Sequence, residues 1–166
     1  MLRTLFLLIF FLVLGEPSVA QQESFNRVVF QYEEKMQQAA TSWVKKNHTR
    51  ALDGFYAARE WLSENMPSAM NDYEWAGWQA MKTYSVVLAR FVEGDLYRRE
   101  GRFDMVDRVS EQALEWAENL KEQADAWSKV RARTPTEESM REKWVGRFRS
   151  AIRQAQKFSS NGTDEN

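Results

Sequence analysis

The chain has 166 residues, with 23 Lys and Arg, 24 Asp and Glu, seven Trp, one His and no Cys. A single domain of this length buries about two-thirds of the surface of its unfolded chain, enough for a core without a metal or a crosslink. The lack of Cys excludes disulfides, thiolate nucleophiles, iron–sulfur clusters and cysteine zinc sites, and one His does not make a His-rich metal site. We therefore expect no cofactor, and the net charge of −1 argues against nucleic acid as a partner.

The first twenty residues have the pattern of a secretory signal peptide. Arg3 precedes ten consecutive apolar residues at 5–14, and Ser18-Val19-Ala20 forms a cleavage site of small residues. Ten residues of helix span about 15 Å, half of the hydrocarbon core of a membrane, which argues against the alternative of a retained anchor. We predict cleavage after Ala20 and a secreted or periplasmic protein. A mature domain without disulfides favours the periplasm.

Apolar residues recur in steps of three and four through the rest of the chain. The stripes are Phe25, Val29, Tyr32, Met36, Ala39 and Trp43; Ala51, Phe55, Ala58 and Leu62; Met70, Tyr73, Gly77, Ala80, Tyr84, Val87, Phe91 and Gly94; Val106, Val109, Ala113, Trp116, Leu120, Ala124 and Trp127; and Trp144, Phe148, Ala151, Ala155 and Phe158. Such heptad spacing on consecutive helices predicts coiled-coil-like packing. The sequence thus predicts an all-α fold, an elongated antiparallel helical bundle of about five helices, over residues 21–158. A disordered acidic tail is expected at 159–166.

Local signals mark the ends of several of these helices. A short second helix is expected over residues 50–65, and the third and fourth should be about 45 Å long. Gly101 should end the third helix, with Arg98 and Arg99 at its negative end. The segment 134–137, Thr-Pro-Thr-Glu, is a capping box with Pro at the first helical position, and it should open the fifth helix.

One segment carries a family-like pattern of small and aromatic residues. Gly94, Tyr97, Gly101, Phe103 and Ala113 occupy positions that match it, whereas Glu93, Val106 and Ser110 depart from it. On these residues the segment 88–121 resembles a single tetratricopeptide repeat. No second copy occurs 34 residues earlier or later. The resemblance implies a peptide-binding or scaffold role and assigns no ligand residue.

Residue types that carry catalysis are sparse, so we expect a protein that is not an enzyme. His48 follows Asn47 between two helical stripes, and the sequence predicts an exposed loop histidine there. Five acids on the fourth helix fall between its apolar positions and should form a solvated face; they are Glu111, Glu115, Glu118, Glu122 and Asp125. A carboxylate-pair hydrolase stays open as an alternative, since such pairs come from distant parts of a chain. Asn47 and Asn161 lie in glycosylation sequons, which matter only in a eukaryotic source.

Charge is distributed unevenly along the chain. Residues 129–158 contain nine basic and three acidic residues, while residues 21–128 contain 13 basic and 18 acidic ones. Arg149, Arg153 and Lys157 are four residues apart and share one helical ridge. Two interpretations stay open: the ridge pairs with the acidic face of the fourth helix, or it binds an anionic partner.

The seven Trp divide into core and surface candidates. Trp43, Trp116, Trp127 and Trp144 lie on the stripes and should be core anchors. Trp75 and Trp78 lie beside the stripe of the third helix, three residues apart, and should project from one lateral face. With Trp61 and Tyr56 of the second helix they form a candidate partner-binding cluster. The alternative is that the second helix covers Trp75 and Trp78.

These observations predict an exported, non-enzymatic helical protein that binds a macromolecule. The candidate binding residues are Trp75, Trp78, Trp61, Tyr56, Arg149, Arg153 and Lys157. The partner would be a protein or an anionic surface. An amphipathic protein of the lipid surface is the alternative, although the Glu-rich fourth helix argues against it. The sequence leaves the oligomeric state open.

Overall fold

A computed structural model describes residues 19–65, 67 and 70–161 of the chain. These residues form five α-helices and no strand, which confirms the predicted all-α bundle. The helices are α1 (Val19–Val44), α2 (His48–Glu64), α3 (Asp72–Arg99), α4 (Phe103–Lys129) and α5 (Pro135–Asn161). The signal peptide predicted over residues 1–20 lies outside the described residues, apart from Val19 and Ala20 at the start of α1.

Helix α3 occupies the centre of the bundle. In the described part of the chain its backbone lies close to each of the other four helices, whereas the backbone of α1 is otherwise close only to α2 and that of α5 only to α4. Side chains of α1 and α5 still meet each other. Consecutive helices run in opposite directions, because short connections join them, so α1, α3 and α5 are parallel to one another. The contacts of Tyr73 with Glu137 and of Phe91 with Phe158 show this parallel alignment of α3 and α5.

The predicted apolar stripes form the core. Most of their members are buried, and Trp127 and Trp144 are almost completely so. Trp43 and Trp116 are only partly buried, although both pack against the core. Because α3 is covered from several sides, its buried residues extend beyond the predicted stripe to Met81 and Ser85.

At the starts of α3 and α5, side chains accept backbone N–H groups that have no partner within the helix. Thr134 Oγ1 accepts the Glu137 N–H at 3.2 Å, and Glu137 Oε2 accepts the Thr134 N–H at 3.3 Å, so the predicted capping box is confirmed. A second capping box, which the sequence analysis missed, joins Asn71 and Glu74 at the start of α3. Gly101 adopts a φ of 71°, a left-handed conformation that favours glycine, and it ends the α3 helix as predicted.

The predicted boundary of the acidic tail was too early. Helix α5 continues through Ser159 and Ser160 to Asn161, and the rest of the predicted tail lies outside the described residues. The predicted lengths of α2, α3 and α4 are close to the observed 17, 28 and 27 residues.

Helices α1, α3 and α5 meet around Tyr32. Its phenol donates a hydrogen bond to the Met81 carbonyl oxygen at 2.7 Å, and its oxygen lies 2.7 Å from Ser85 Oγ. The Tyr32 ring also packs against Trp144 of α5, with 5.5 Å between the ring centroids. Burial raises the pKa of Tyr32 well above its usual value, so the phenol stays neutral and keeps its hydrogen bonds.

Beside Tyr32, the Glu33 carboxylate joins α1 to α5. It accepts hydrogen bonds from Lys143 Nζ at 2.8 Å and from Arg147 Nη2 at 2.7 Å. Partial burial acts to raise the pKa of Glu33, but the two cationic donors outweigh it and hold the pKa below the usual value of 4.5. This carboxylate therefore stabilises the folded protein when it is ionised.

The substitution Glu33→Gln should remove that stabilisation in a pH-dependent way. Because the pKa of Glu33 is lowered on folding, its contribution is complete above about pH 4.5 and is lost as the pH falls through the folded-state pKa. We expect E33Q to be about 1 kcal/mol less stable than the parent at pH 7, in the range of partly exposed ion pairs. The gap should close toward about pH 3. Urea unfolding across this pH range measures it.

The neighbouring substitution Glu34→Gln is the matched control for this prediction. Glu34 is exposed and has no ion pair in the described part of the chain. E34Q should therefore lose little stability at pH 7. A stability gap for E33Q that stays constant between about pH 3 and pH 7 would show that the ion pairs contribute nothing.

Candidate functional site

The structure separates the two Trp residues that were predicted to project together from α3. Trp75 is 47% exposed, but Trp78 is only 1% exposed and belongs to the core. The prediction that Trp78 lies on a binding surface is therefore wrong. The physical reason is the central position of α3: neighbouring helices cover the flank of its stripe that carries Trp78, while Trp75 lies at the first turn, where the cover is incomplete.

Trp61 and Tyr56 of α2 are half-buried and already have partners within the chain. The Lys35 amine lies 5.4 Å from the centroid of the Trp61 ring, a cation–π distance. The Tyr56 phenol donates a hydrogen bond to Glu93 Oε1 at 3.3 Å. Burial, together with the Glu93 carboxylate, raises the pKa of Tyr56. No ring–ring contact in the described part of the bundle joins either residue to Trp75, so the predicted aromatic cluster is divided.

The three residues of the basic ridge lie together on the outer side of α5. Arg149, Arg153 and Lys157 are all exposed. Each residue of an α-helix is rotated by about 100° from the last, so Arg153, two positions from the buried Ala151 and Ala155, faces away from the core. Within the part of the chain that the structure describes, none of the three makes an ion pair.

Neighbouring basic residues of α5 are used differently. Lys143 and Arg147 bind Glu33 of α1, and Arg141 binds Glu138 and the carbonyl oxygens at the end of α4. These cations stabilise the fold. The contrast leaves Arg149, Arg153 and Lys157 as the cations of α5 that are available to another molecule.

The alternative interpretation, in which the ridge pairs with the acidic face of α4, finds no support in the contacts. No ion pair joins the two helices at these residues in the described part of the chain. The five acids of that face are exposed, as predicted for a solvated surface; they are Glu111, Glu115, Glu118, Glu122 and Asp125. The packing of α4 on α5 instead involves apolar contacts such as Trp127 with Phe148.

The prediction that His48 lies in an exposed loop is wrong. His48 is the first residue of α2 and is only 6% exposed. The helix begins there because the Asn47 side chain accepts the Arg50 N–H at 3.2 Å, which caps the first turn. The connection from α1 is correspondingly short, and Lys46 within it adopts a φ of 62°. This tight turn brings His48 against the end of α3, where it lines a cleft with Lys46, Asp95, Arg98 and Arg99.

The residues of this cleft come from two separate parts of the sequence. The sequence predicted His48 in a loop and Arg98 and Arg99 at a helix end. They are about 50 positions apart along the chain, a separation that carries no periodic signal.

The described residues contain no cluster of His, Asp and Glu that is suited to hold a metal ion. Among these same residues, none of the helices is both long enough and apolar enough to span a bilayer. No protein-family model, no curated protein and no solved structure matches this chain. The resemblance of residues 88–121 to a tetratricopeptide repeat therefore stays a prediction.

Proposed function

We propose that this is an exported, non-enzymatic helical binding protein that docks an acidic protein partner on the basic ridge of α5. The observation that carries the proposal is the state of Arg149, Arg153 and Lys157. All three are exposed, face away from the core and have no ion pair among the described residues, while Lys143 and Arg147 of the same helix are paired.

Charge–charge contacts explain what such a ridge can do. Three cations four residues apart give a line of positive charge about 12 Å long. A line of this kind attracts an acidic surface over distances of about a Debye length, which is about 8 Å at physiological ionic strength. Contacts of this type mainly accelerate association and select the partner.

The surroundings of the ridge favour a protein partner over a lipid surface. Helix α5 exposes polar Ser150, Gln154 and Gln156 beside the ridge. The apolar side of α5 is buried in the core and is not available for insertion into a bilayer. An anionic lipid surface would therefore be held by charge alone, and it is the competing outcome of the experiment below.

Replacing all three ridge residues by Gln tests the proposal. We expect R149Q/R153Q/K157Q to bind labelled polyglutamate at least about tenfold more weakly than the parent protein, because each lost cation removes a favourable contact with the polyanion. Fluorescence anisotropy at several salt concentrations measures the binding. The melting temperature should change little, since the replaced side chains are exposed and unpaired.

The matched control is R27Q/R108Q/K121Q, which removes two Arg and one Lys from exposed positions elsewhere. It should keep most of the affinity for polyglutamate. Equal losses in the two variants would show that only net charge matters and would contradict a specific ridge. If the parent binds vesicles of phosphatidylcholine and phosphatidylserine but not polyglutamate, the acidic-protein proposal is wrong and a lipid surface replaces it.

A further inference from the structure

A second basic site lies at the end of the bundle where α1 turns into α2 and α3 ends. It is an open cleft of about 400 Å³, lined by Lys46, His48, Asp95, Arg98 and Arg99. None of these residues belongs to the ridge of α5. The cleft is therefore a second candidate binding site, separate from the ridge.

The buried imidazole of His48 is the observation that points to a ligand. The residue is only 6% exposed, yet its ring makes no hydrogen bond or ion pair within the described part of the chain. The two ring nitrogens are not among the fully buried side-chain atoms that lack a partner, so they are open to the cleft although most of the residue is buried. His48 lines the cleft, and a molecule bound in the cleft would supply the missing partner.

The charges around His48 favour an anion. Lys46, Arg98 and Arg99 bring three cations to the cleft, and Asp95 brings one carboxylate. That carboxylate is already engaged, because it accepts the Trp43 indole N–H at 2.8 Å and binds Arg98 at 3.1 Å. Lys46 and Arg99 are exposed and make no ion pair among the described residues, so both are free to bind a ligand.

The backbone of α2 adds further donors. Asn47 caps the Arg50 N–H, but the amides of His48 and Thr49 in the first turn have no acceptor among the described residues. A helix N-terminus carries about half a positive charge and binds oxyanions through such free N–H groups. The C-terminus of α3 brings about half a negative charge to the same region, which Arg98 and Arg99 outweigh.

We propose that this cleft binds the phosphate group of a small anionic molecule. The cations and N–H donors suit a compact oxyanion with several acceptor oxygens, and the volume leaves room for more than the phosphate itself. Lys46 and Arg99 supply charge, and His48 supplies its imidazole N–H together with its backbone N–H at the first position of α2. The phosphate is either part of a soluble compound or part of a lipid headgroup.

Since His48 is the only histidine of the chain, its ring protons give a direct readout by NMR in tag-free protein. Titration with inorganic phosphate at constant pH should shift these signals in a saturable way, and chloride at equal ionic strength should not reproduce the shift. The variant K46N/R99Q should weaken phosphate binding at least about tenfold. Asn tolerates the positive φ of position 46, and both replaced side chains are exposed, so this variant should fold normally.

The control variant K121N/R108Q makes the same two replacements on the exposed face of α4 and should bind phosphate like the parent protein. Sedimentation with vesicles of phosphatidylcholine and phosphatidic acid distinguishes the two sources of phosphate. Vesicle binding that K46N/R99Q abolishes would assign a lipid headgroup, and a phosphate-induced shift without vesicle binding would assign a soluble compound. The proposal is overturned if phosphate produces no saturable shift, or if K46N/R99Q binds phosphate as tightly as the control variant.

Discussion

Replacing Trp78 by Ala should destabilise the folded protein by about 3 to 5 kcal/mol, the range for truncating a large aromatic side chain in a core. Trp78 is 1% exposed, so its removal leaves a cavity lined by the surrounding helices. The same replacement at Trp75, three residues earlier, should change the stability by less than about 0.5 kcal/mol, because nearly half of that side chain is in water.

The two single variants are controls for each other, since they lie in the same helix and lose the same side chain. Urea unfolding followed by far-ultraviolet circular dichroism measures both without relying on Trp fluorescence. Trp78→Phe should lose less stability than Trp78→Ala, because it keeps most of the apolar contact and leaves a smaller cavity. Equal stability losses at positions 75 and 78 would contradict the burial that the structure shows.

The second large loss of stability is expected at Gly77 of α3, where the Trp127 ring of α4 packs directly against the glycine. A Cβ at position 77 would lie 2.6 Å from Cζ2 and 2.7 Å from Cε2 of Trp127, well inside van der Waals contact. The Trp127 ring is fully buried and packs against Tyr73 and Phe148, so it has little room to move. Gly77→Ala should therefore cost about 1 to 3 kcal/mol through overpacking, despite the higher helix propensity of Ala.

Gly146→Ala is the matched control for the close approach at Gly77. Gly146 is exposed in α5, and a Cβ there would meet no atom within 4 Å. This variant should gain about 0.5 to 1 kcal/mol, because Ala is the better helix former. The double variant G77A/W127F should recover part of the lost stability, since the smaller ring makes space for the new methyl group. A stabilising effect of G77A alone would show that the two helices are farther apart.

Much of the fold was predictable because its signals are local. The steps of three and four in the apolar residues define which face of each helix is buried, and Phe55, Val87 and Phe148 on these stripes are indeed in the core. The capping box at Thr134 and the left-handed Gly101 act through neighbours a few residues away, so the sequence showed them directly.

The candidate sites were less predictable, because they depend on contacts between distant residues. The exposure of Arg149, Arg153 and Lys157 follows from their position on α5. Their lack of ion pairs does not, because it depends on which acids the neighbouring helices bring close. The pairing of Lys143 with Glu33, 110 positions away, has no counterpart in any local pattern.

By itself, the sequence determined that this chain forms long amphipathic helices, where most of them begin and end, and which stripe each one buries. These properties depend on propensity, capping and periodicity, all of which act within a few residues. Only the tertiary structure decided that Trp78 is buried while Trp75 is exposed, and that His48 lies beside Arg98 and Arg99. Both outcomes depend on how the other helices cover α3, and that arrangement is set by the packing of the whole bundle.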